Sequence, residues 1–168
     1  MNKKEARLQA LENRKKKDQS WASSVVLDAF LSSKVLESFT HIGLYYPIGK
    51  EIDVMPLLNI YKDKKFYLPV TKEEIDFLPY DSTTPLVHGP FHTKEPVGDA
   101  VNRDLIECFI IPCFAIGKNN ARIGYGKGYY DRYLKDYKGL KIGIVYEDAV
   151  YDIEGDFFDI KLDIVLKG

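Results

Sequence analysis

Residues Arg122 to Tyr133 read RIGYGKGYYDRY, with glycines at 124, 126 and 128 alternating with Tyr125 and Lys127. Glycine reaches backbone conformations closed to other residues and leaves its amides uncovered, so an anion can approach such a loop closely. The run Leu105 to Pro112 upstream, LIECFIIP, has the continuous apolar character of a buried strand. Tyr129 to Lys135 downstream contains no helix breaker. Strand, glycine loop and helix thus appear in the order of a nucleotide site in an α/β sheet, with the first helical amides and the helix dipole available to phosphate.

The loop matches neither of the two commonest phosphate motifs. A P-loop places Ser or Thr after its lysine to reach magnesium, whereas Gly128 follows Lys127. The dinucleotide fingerprint separates its last two glycines by three positions, and here the interval is two. Taken alone, the glycines also fit a plain structural turn. The flanking cations Arg122 and Lys127 favour the anion site.

Apolar runs suited to strands recur at His41 to Tyr46, Lys65 to Val70, Leu105 to Pro112, Lys141 to Tyr146 and Asp163 to Leu166. Helical patterns fall among them at Lys3 to Lys17, Trp21 to Ser38, Val54 to Lys62 and Tyr129 to Lys135. This alternation predicts an α/β fold, a sheet covered on both faces, in one domain spanning residues 1–168. At this length one core can bury about 70% of the unfolded surface. Tyr80 to Gly98, rich in proline and glycine, reads as a long irregular segment. Cys108 and Cys113 would point to opposite faces of an extended chain and suggest neither a disulfide nor a zinc pair. His88 and His92 lack an obvious third ligand and read as loop histidines.

A net charge of −1 gives no overall field toward nucleic acid or anionic lipid, and no apolar run approaches membrane-spanning length. The first residues lack a secretory signal, so a cytoplasmic location is expected. The helix at 3–17 is locally basic, with Lys3, Lys4, Arg7, Arg14, Lys15, Lys16 and Lys17 against Glu5 and Glu12. Lys3 and Arg7, four apart, share a helix face. Its plainest reading is a solvated amphipathic helix with Leu8 and Leu11 packed inward; a nucleic-acid arm and a phosphate clamp folded onto the glycine loop are the alternatives.

Lys3-x-x-x-Arg7, YYPIGKEID at 45 to 53, KEPVG at 94 to 98, IIPCFAIG and RIGYGKGYYDRYL, in that order, resemble the 5-formyltetrahydrofolate cyclo-ligase (methenyltetrahydrofolate synthetase) family over nearly the whole chain. The resemblance implies a three-layer α/β sandwich around a mostly parallel sheet. It also implies conversion of 5-formyltetrahydrofolate to 5,10-methenyltetrahydrofolate with ATP and Mg2+, releasing ADP and phosphate. A formamide oxygen leaves poorly as oxide but well as phosphate, so phosphorylating it lets the second folate nitrogen close the ring. Such chemistry asks the protein for positioning and charge neutralisation rather than a nucleophile.

Carried over by the resemblance, Lys3, Lys4 and Arg7 are ATP contacts. Arg122, Gly124, Tyr125, Gly126, Lys127, Gly128, Tyr129 and Tyr130 form the ATP loop, with Lys127 and Arg122 as the catalytic cations. Tyr46 and Glu51 hold the folate, and Tyr125, Gly126, Lys127, Gly128 and Tyr129 meet it where it faces the γ-phosphate. The pterin's N–H donors suit an ionised carboxylate, which makes Glu51 the candidate anchor. Asp131 and Asp159 match magnesium ligands, oxygen donors suited to a hard ion. The partners expected are small molecules, with no nucleic acid or membrane and a monomeric chain.

Two positions depart from the family pattern. Gly117 stands where an aspartate is usual, and Asn119-Asn120 replaces a usual glycine. Asparagine tolerates the left-handed conformation, so the turn should survive. Competing functions are an enzyme acting with ATP on another N-formyl or pterin compound, and an RNA-binding module gripping phosphates through the basic helix and the glycine loop.

Overall fold

The computed structural model of the protein describes residues 1–168. Strand β6 (Cys108–Pro112), buried at all five positions, lies in a six-stranded sheet of order β10-β9-β6-β1-β2-β3. Its members are β1 (His41–Gly43), β2 (Lys65–Thr71), β3 (Ile75–Tyr80), β9 (Leu140–Val145) and β10 (Ile164–Lys167). Every pairing is parallel except β2 with β3. The chain steps from β1 to β2 on one side, and from β6 to β9 and β10 on the other. The order therefore reverses between β1 and β6, and a crevice opens beyond the carboxyl ends of those two strands.

Strand β3 escaped the sequence reading. It forms a hairpin with β2, Thr71 opposite Ile75 through Phe66 opposite Tyr80, and buries Ile75, Phe77 and Leu78. Pro69 and Pro79 argue against strands. Both are tolerated because β3 is the sheet edge and the pairing of β2 with β1 stops at Tyr67. The segment expected to be irregular, 80–98, also contains a ribbon of β4 (Leu86–His88) and β5 (Lys94–Pro96). Its turn holds Phe91 and His92 at φ +58° and +60°. Buried Glu95 accepts a hydrogen bond from Thr71 N (2.7 Å), fixing the ribbon at the end of β2.

Helix α1 (Lys3–Lys15) starts at a reciprocal cap: Glu5 N donates to Asn2 Oδ1 and Asn2 N to Glu5 Oε2, both 2.9 Å. Its buried face is Ala6, Ala10 and Arg14, whereas Leu8 and Leu11 are exposed, the reverse of the expectation. The small alanines let the helix lie close against the loops it covers. Helix α2 (Gln19–Ser33) is capped by Asp18, whose side chain accepts from Trp21 N (3.0 Å), and ends where Lys34 turns left-handed, five residues before the predicted end. Helix α3 (Leu57–Ile60) is a single turn.

Between β6 and the glycine loop the chain inserts a ribbon of β7 (Ala115–Ile116) and β8 (Arg122–Ile123), so the loop leaves β8 rather than the central strand. Asn119 and Asn120 take φ +56° and +58° in the ribbon's turn, as asparagine permits. A Cβ at Gly117 would stand 2.7 Å from the Ile153 carbonyl oxygen. That backbone occupies the room an aspartate there would need. Helix α4 (Tyr129–Tyr133) has only five residues, shorter than expected, so a long helix dipole adds little to anion binding.

Candidate active site

The glycine loop turns through left-handed Gly126 (φ +95°) and Gly128 (φ +72°), conformations that side chains beyond Cα would strain. Lys127 between them is exposed and forms no ion pair, while its carbonyl accepts from Arg132 Nη1 (2.8 Å). Arg132 Nε also binds Glu74, in the β2–β3 turn, at 2.9 Å. The loop is thereby held from its base, with the lysine side chain left free above it.

Helix α1 lies over this loop. Arg7 Nε donates to Gly124 O at 2.6 Å, and its guanidinium borders Gly126. Lys3, one turn earlier, pairs with Asp156 (2.6 Å) and with Asp159. The start of α1 thus folds back onto the glycine loop, the arrangement that the clamp reading requires. Much of the helix's basic charge meets protein groups, since Lys15 pairs with Glu12 and Lys17 with Asp148. Lys4 is exposed on the same end of the helix as Lys3.

Arg122, expected to face the transferring phosphate, is instead 7% exposed. Its Nε and Nη2 both donate to Pro112 O (2.9 and 2.7 Å), and its guanidinium lies 4.6 Å from the ring centre of buried Tyr130. These contacts brace the base of the loop against the end of β6. Tyr129 is partly buried beneath Arg132.

Asp131 and Asp159 come together. Asp131 Oδ1 accepts from Ile160 N (3.0 Å), and Asp159 Oδ2 accepts from Asp156 N (2.7 Å) and meets Lys3. One oxygen of each carboxylate has no protein partner. No cluster of three or more His, Cys, Asp or Glu side chains suited to a metal exists in the chain. A magnesium ion held by this pair would take its other ligands from phosphate and water, which is how this ion is commonly bound.

The crevice between β1 and β6 holds Glu51, 6% exposed. Its Oε1 accepts from Ile48 N (2.7 Å) and its Oε2 from Tyr125 OH (3.2 Å). Burial lifts the carboxyl above its usual range, opposed by those hydrogen bonds and by the charges of Arg14 and Arg122. Tyr125 therefore joins two half-sites: its backbone belongs to the glycine loop and its hydroxyl to Glu51. Its ring packs edge-on to Phe114 at 4.4 Å. Tyr46, half-buried just past β1, carries Lys94 Nζ 5.5 Å above its ring.

Arg14 was not singled out as a site residue. It is 6% exposed, its guanidinium lies 4.5 Å from the ring centre of Phe114, and its Nε has no partner. With Glu51, Tyr45 and Cys113 it lines a small, partly open cavity with room for about one water molecule. Burial pushes the Cys113 thiol up to about 11, so it stands there as a neutral group. The only sequence signal was spacing: Ala6, Ala10 and Arg14 recur every four residues, but a basic run disguises a buried arginine.

A mostly parallel α/β sheet with a glycine loop and a buried carboxylate at its switch point is the architecture of enzymes that bind small molecules at strand ends. Comparison with known proteins narrows this. The model of the 5-formyltetrahydrofolate cyclo-ligase family matches residues 2–168. The chain is 33% identical over 148 residues to the 5-formyltetrahydrofolate cyclo-ligase of Mycoplasma pneumoniae, covering 84% of this chain and 79% of that one. It is 36% identical over 118 residues to the Mycoplasma genitalium protein of the same name, covering 62% and 72%. The solved structure of the Aquifex aeolicus 5,10-methenyltetrahydrofolate synthetase superposes with a TM-score of 0.85 at 34% identity, over 98% of this chain and 89% of that one. That of a 5,10-methenyltetrahydrofolate synthetase from Mycoplasma pneumoniae gives 0.81 at 28% identity, over 98% of both. The chain belongs to the 5-formyltetrahydrofolate cyclo-ligase family and is a ligase. No helix is long and apolar enough to cross a membrane.

Proposed function

We propose that the protein cyclises 5-formyltetrahydrofolate to 5,10-methenyltetrahydrofolate by transferring the γ-phosphoryl group of ATP to the formyl oxygen. The observation that carries this reading is the hydrogen bond from Tyr125 to Glu51. It fixes the loop for the phosphates directly beside the carboxylate for the pterin, as transfer between the two substrates requires.

The formyl oxygen attacks the γ-phosphorus and the bond to the β-phosphate oxygen breaks, giving ADP and an O-phosphorylated iminium. The second folate nitrogen then attacks the activated carbon and loses its proton, and phosphate departs with the original formyl oxygen. Glu51 accepts hydrogen bonds from the pterin and sets the formyl group's direction. Lys127 reaches over the loop to the γ-phosphoryl, and Arg7 and Lys3 lie along the rest of the triphosphate. Arg122 supports the loop from below. Asp131 and Asp159 are the residues that would hold magnesium, which would supply charge neutralisation for the phosphoryl transfer. Lys94, above Tyr46, is a basic group available to the folate's glutamate tail.

Near-ultraviolet absorbance of 5-formyltetrahydrofolate mixed with protein, magnesium and ATP tests the reading. The methenyl chromophore should grow only when ATP is present. ATP binding without growth would reject this substrate and point to another N-formyl or pterin compound.

A further inference from the structure

Phe157 is completely exposed, and its neighbour Phe158 is 58% exposed. Their rings meet edge to face, 5.4 Å apart at 80°. Two adjacent exposed phenyl rings make a contiguous apolar face open to a flat ligand. The turn that presents it is firmly built. Asp159 N donates to Asp156 O (3.1 Å), and Asp156 N donates back to Asp159 Oδ2 (2.7 Å). Lys3 ties both aspartates to α1, and Ile160 N ties the turn to Asp131 at the start of α4. The two rings thus project from a turn clamped between the two elements that flank the glycine loop. Lys3 Nζ lies 5.5 Å from the Phe158 ring centre.

We infer that Phe157, propped by Phe158, is the stacking platform for the purine base of the nucleotide. The inference rests on the ATP reading above. Helix α1 acts as a ruler for it: Lys3 marks the phenylalanine turn, Arg7 the glycine loop about 6 Å further on, and Arg14 the Glu51 crevice about 10 Å beyond that. The pterin is assigned to the Arg14 end and the phosphates to the middle. The base then falls at the Lys3 end, where the open aromatic face stands. An aromatic face holds a flat base with little demand on its hydrogen-bonding edge.

The test is calorimetric titration of wild type and Phe157→Ala with ATP and, separately, with inorganic tripolyphosphate, both with magnesium. The platform predicts about 10-fold weaker ATP binding in the variant and unchanged tripolyphosphate binding, with Phe157→Trp restoring ATP affinity. Equal weakening of both ligands, or none of either, overturns the platform while leaving the phosphate site standing. Failure of wild type to bind either ligand overturns the nucleotide reading and the platform together. Because Phe157 buries nothing, the alanine variant should fold like the parent, and its melting temperature checks that.

Discussion

At the α1 end of the cleft Lys3 grips Asp156 and Asp159 directly, whereas at the β1–β6 end Arg14 and Glu51 line one cavity and form no ion pair. The first arrangement reaches solvent through Asp156 and Lys3 while Asp159 is buried, so the Lys3–Asp156 contact is the weak one that an incoming polyanion can rearrange. The second is buried, where an ionised carboxylate without a direct counter-ion is held at the expense of stability. Glu51 is thus preorganised to receive donors from a ligand. On the proposed reading the phosphate end instead keeps Lys3 compensated, and Lys127 free, until phosphates arrive.

The largest expected effect breaks the phosphate end alone. Lys127→Ala should lower turnover by about 100- to 1,000-fold, the loss usual for one charge-stabilising group, with little change in the folate KM. Steady-state absorbance kinetics check it, and a folate KM rising in step with the fall in turnover would show the two ends to be one unit. Glu51→Gln should do the opposite, raising the folate KM about 10- to 100-fold, as expected on losing charged hydrogen bonds.

The same Glu51→Gln variant should also be more stable at neutral pH. Burial raises the Glu51 pKa above its unfolded value of about 4.3, so above that pH the unfolded chain gives up its proton first. Stability therefore falls as pH rises through the window from about 4.3 to the raised folded value, and stays lower above it. Glutamine removes that penalty, for a gain on the order of 1 kcal/mol or ~2–4 °C. Melting curves should show no gain at pH 4 and the full gain at pH 8; a gain at both would trace it to packing instead.

What the sequence disclosed follows the same division. The glycine loop and its lysine were legible because local spacing determines them, and so was the shared helix face of Lys3 and Arg7; that this face folds onto the loop was one of three open readings, because only tertiary packing decides it. The five parallel strands were also legible, because buried strands are continuous apolar runs. Strand β3 was hidden by Pro79, harmless only on an edge that tertiary pairing defines. Arg122 looked like a phosphate ligand because nothing local shows that Pro112 O will claim its guanidinium. Arg14 was hidden for the converse reason: burial of a cation among Phe114, Tyr146 and Glu51 is a property of the assembled crevice.

Arg14→Met should sharpen the comparison with a smaller effect. The groups facing Glu51 are Arg14 and Arg122, whose charges favour its ionised form, and the Ile48 amide and Tyr125 hydroxyl, which donate to it. Removing Arg14 leaves the carboxyl higher still, so the acid limb of the kcat/KM profile should move to higher pH, with less than about a 10-fold loss on the alkaline side. An unmoved limb would mean that Arg14 only packs.

The smallest effect belongs beyond both ends, at Lys94. It sits at the first position of β5, opposite His88, with its ammonium over the Tyr46 ring and no ion pair. A single exposed cation contributes under about 1 kcal/mol to holding a carboxylate, or roughly fivefold in binding. Lys94→Gln should raise the folate KM by about that factor, and the difference should shrink as salt screens the contact. The corresponding pteroate substrate, which has the same formylated ring system without the glutamate, should bind the variant and the parent equally well. An equal weakening for both substrates would place the lysine's role in supporting Tyr46 under the pterin, and would return Lys94 to the crevice end of the cleft.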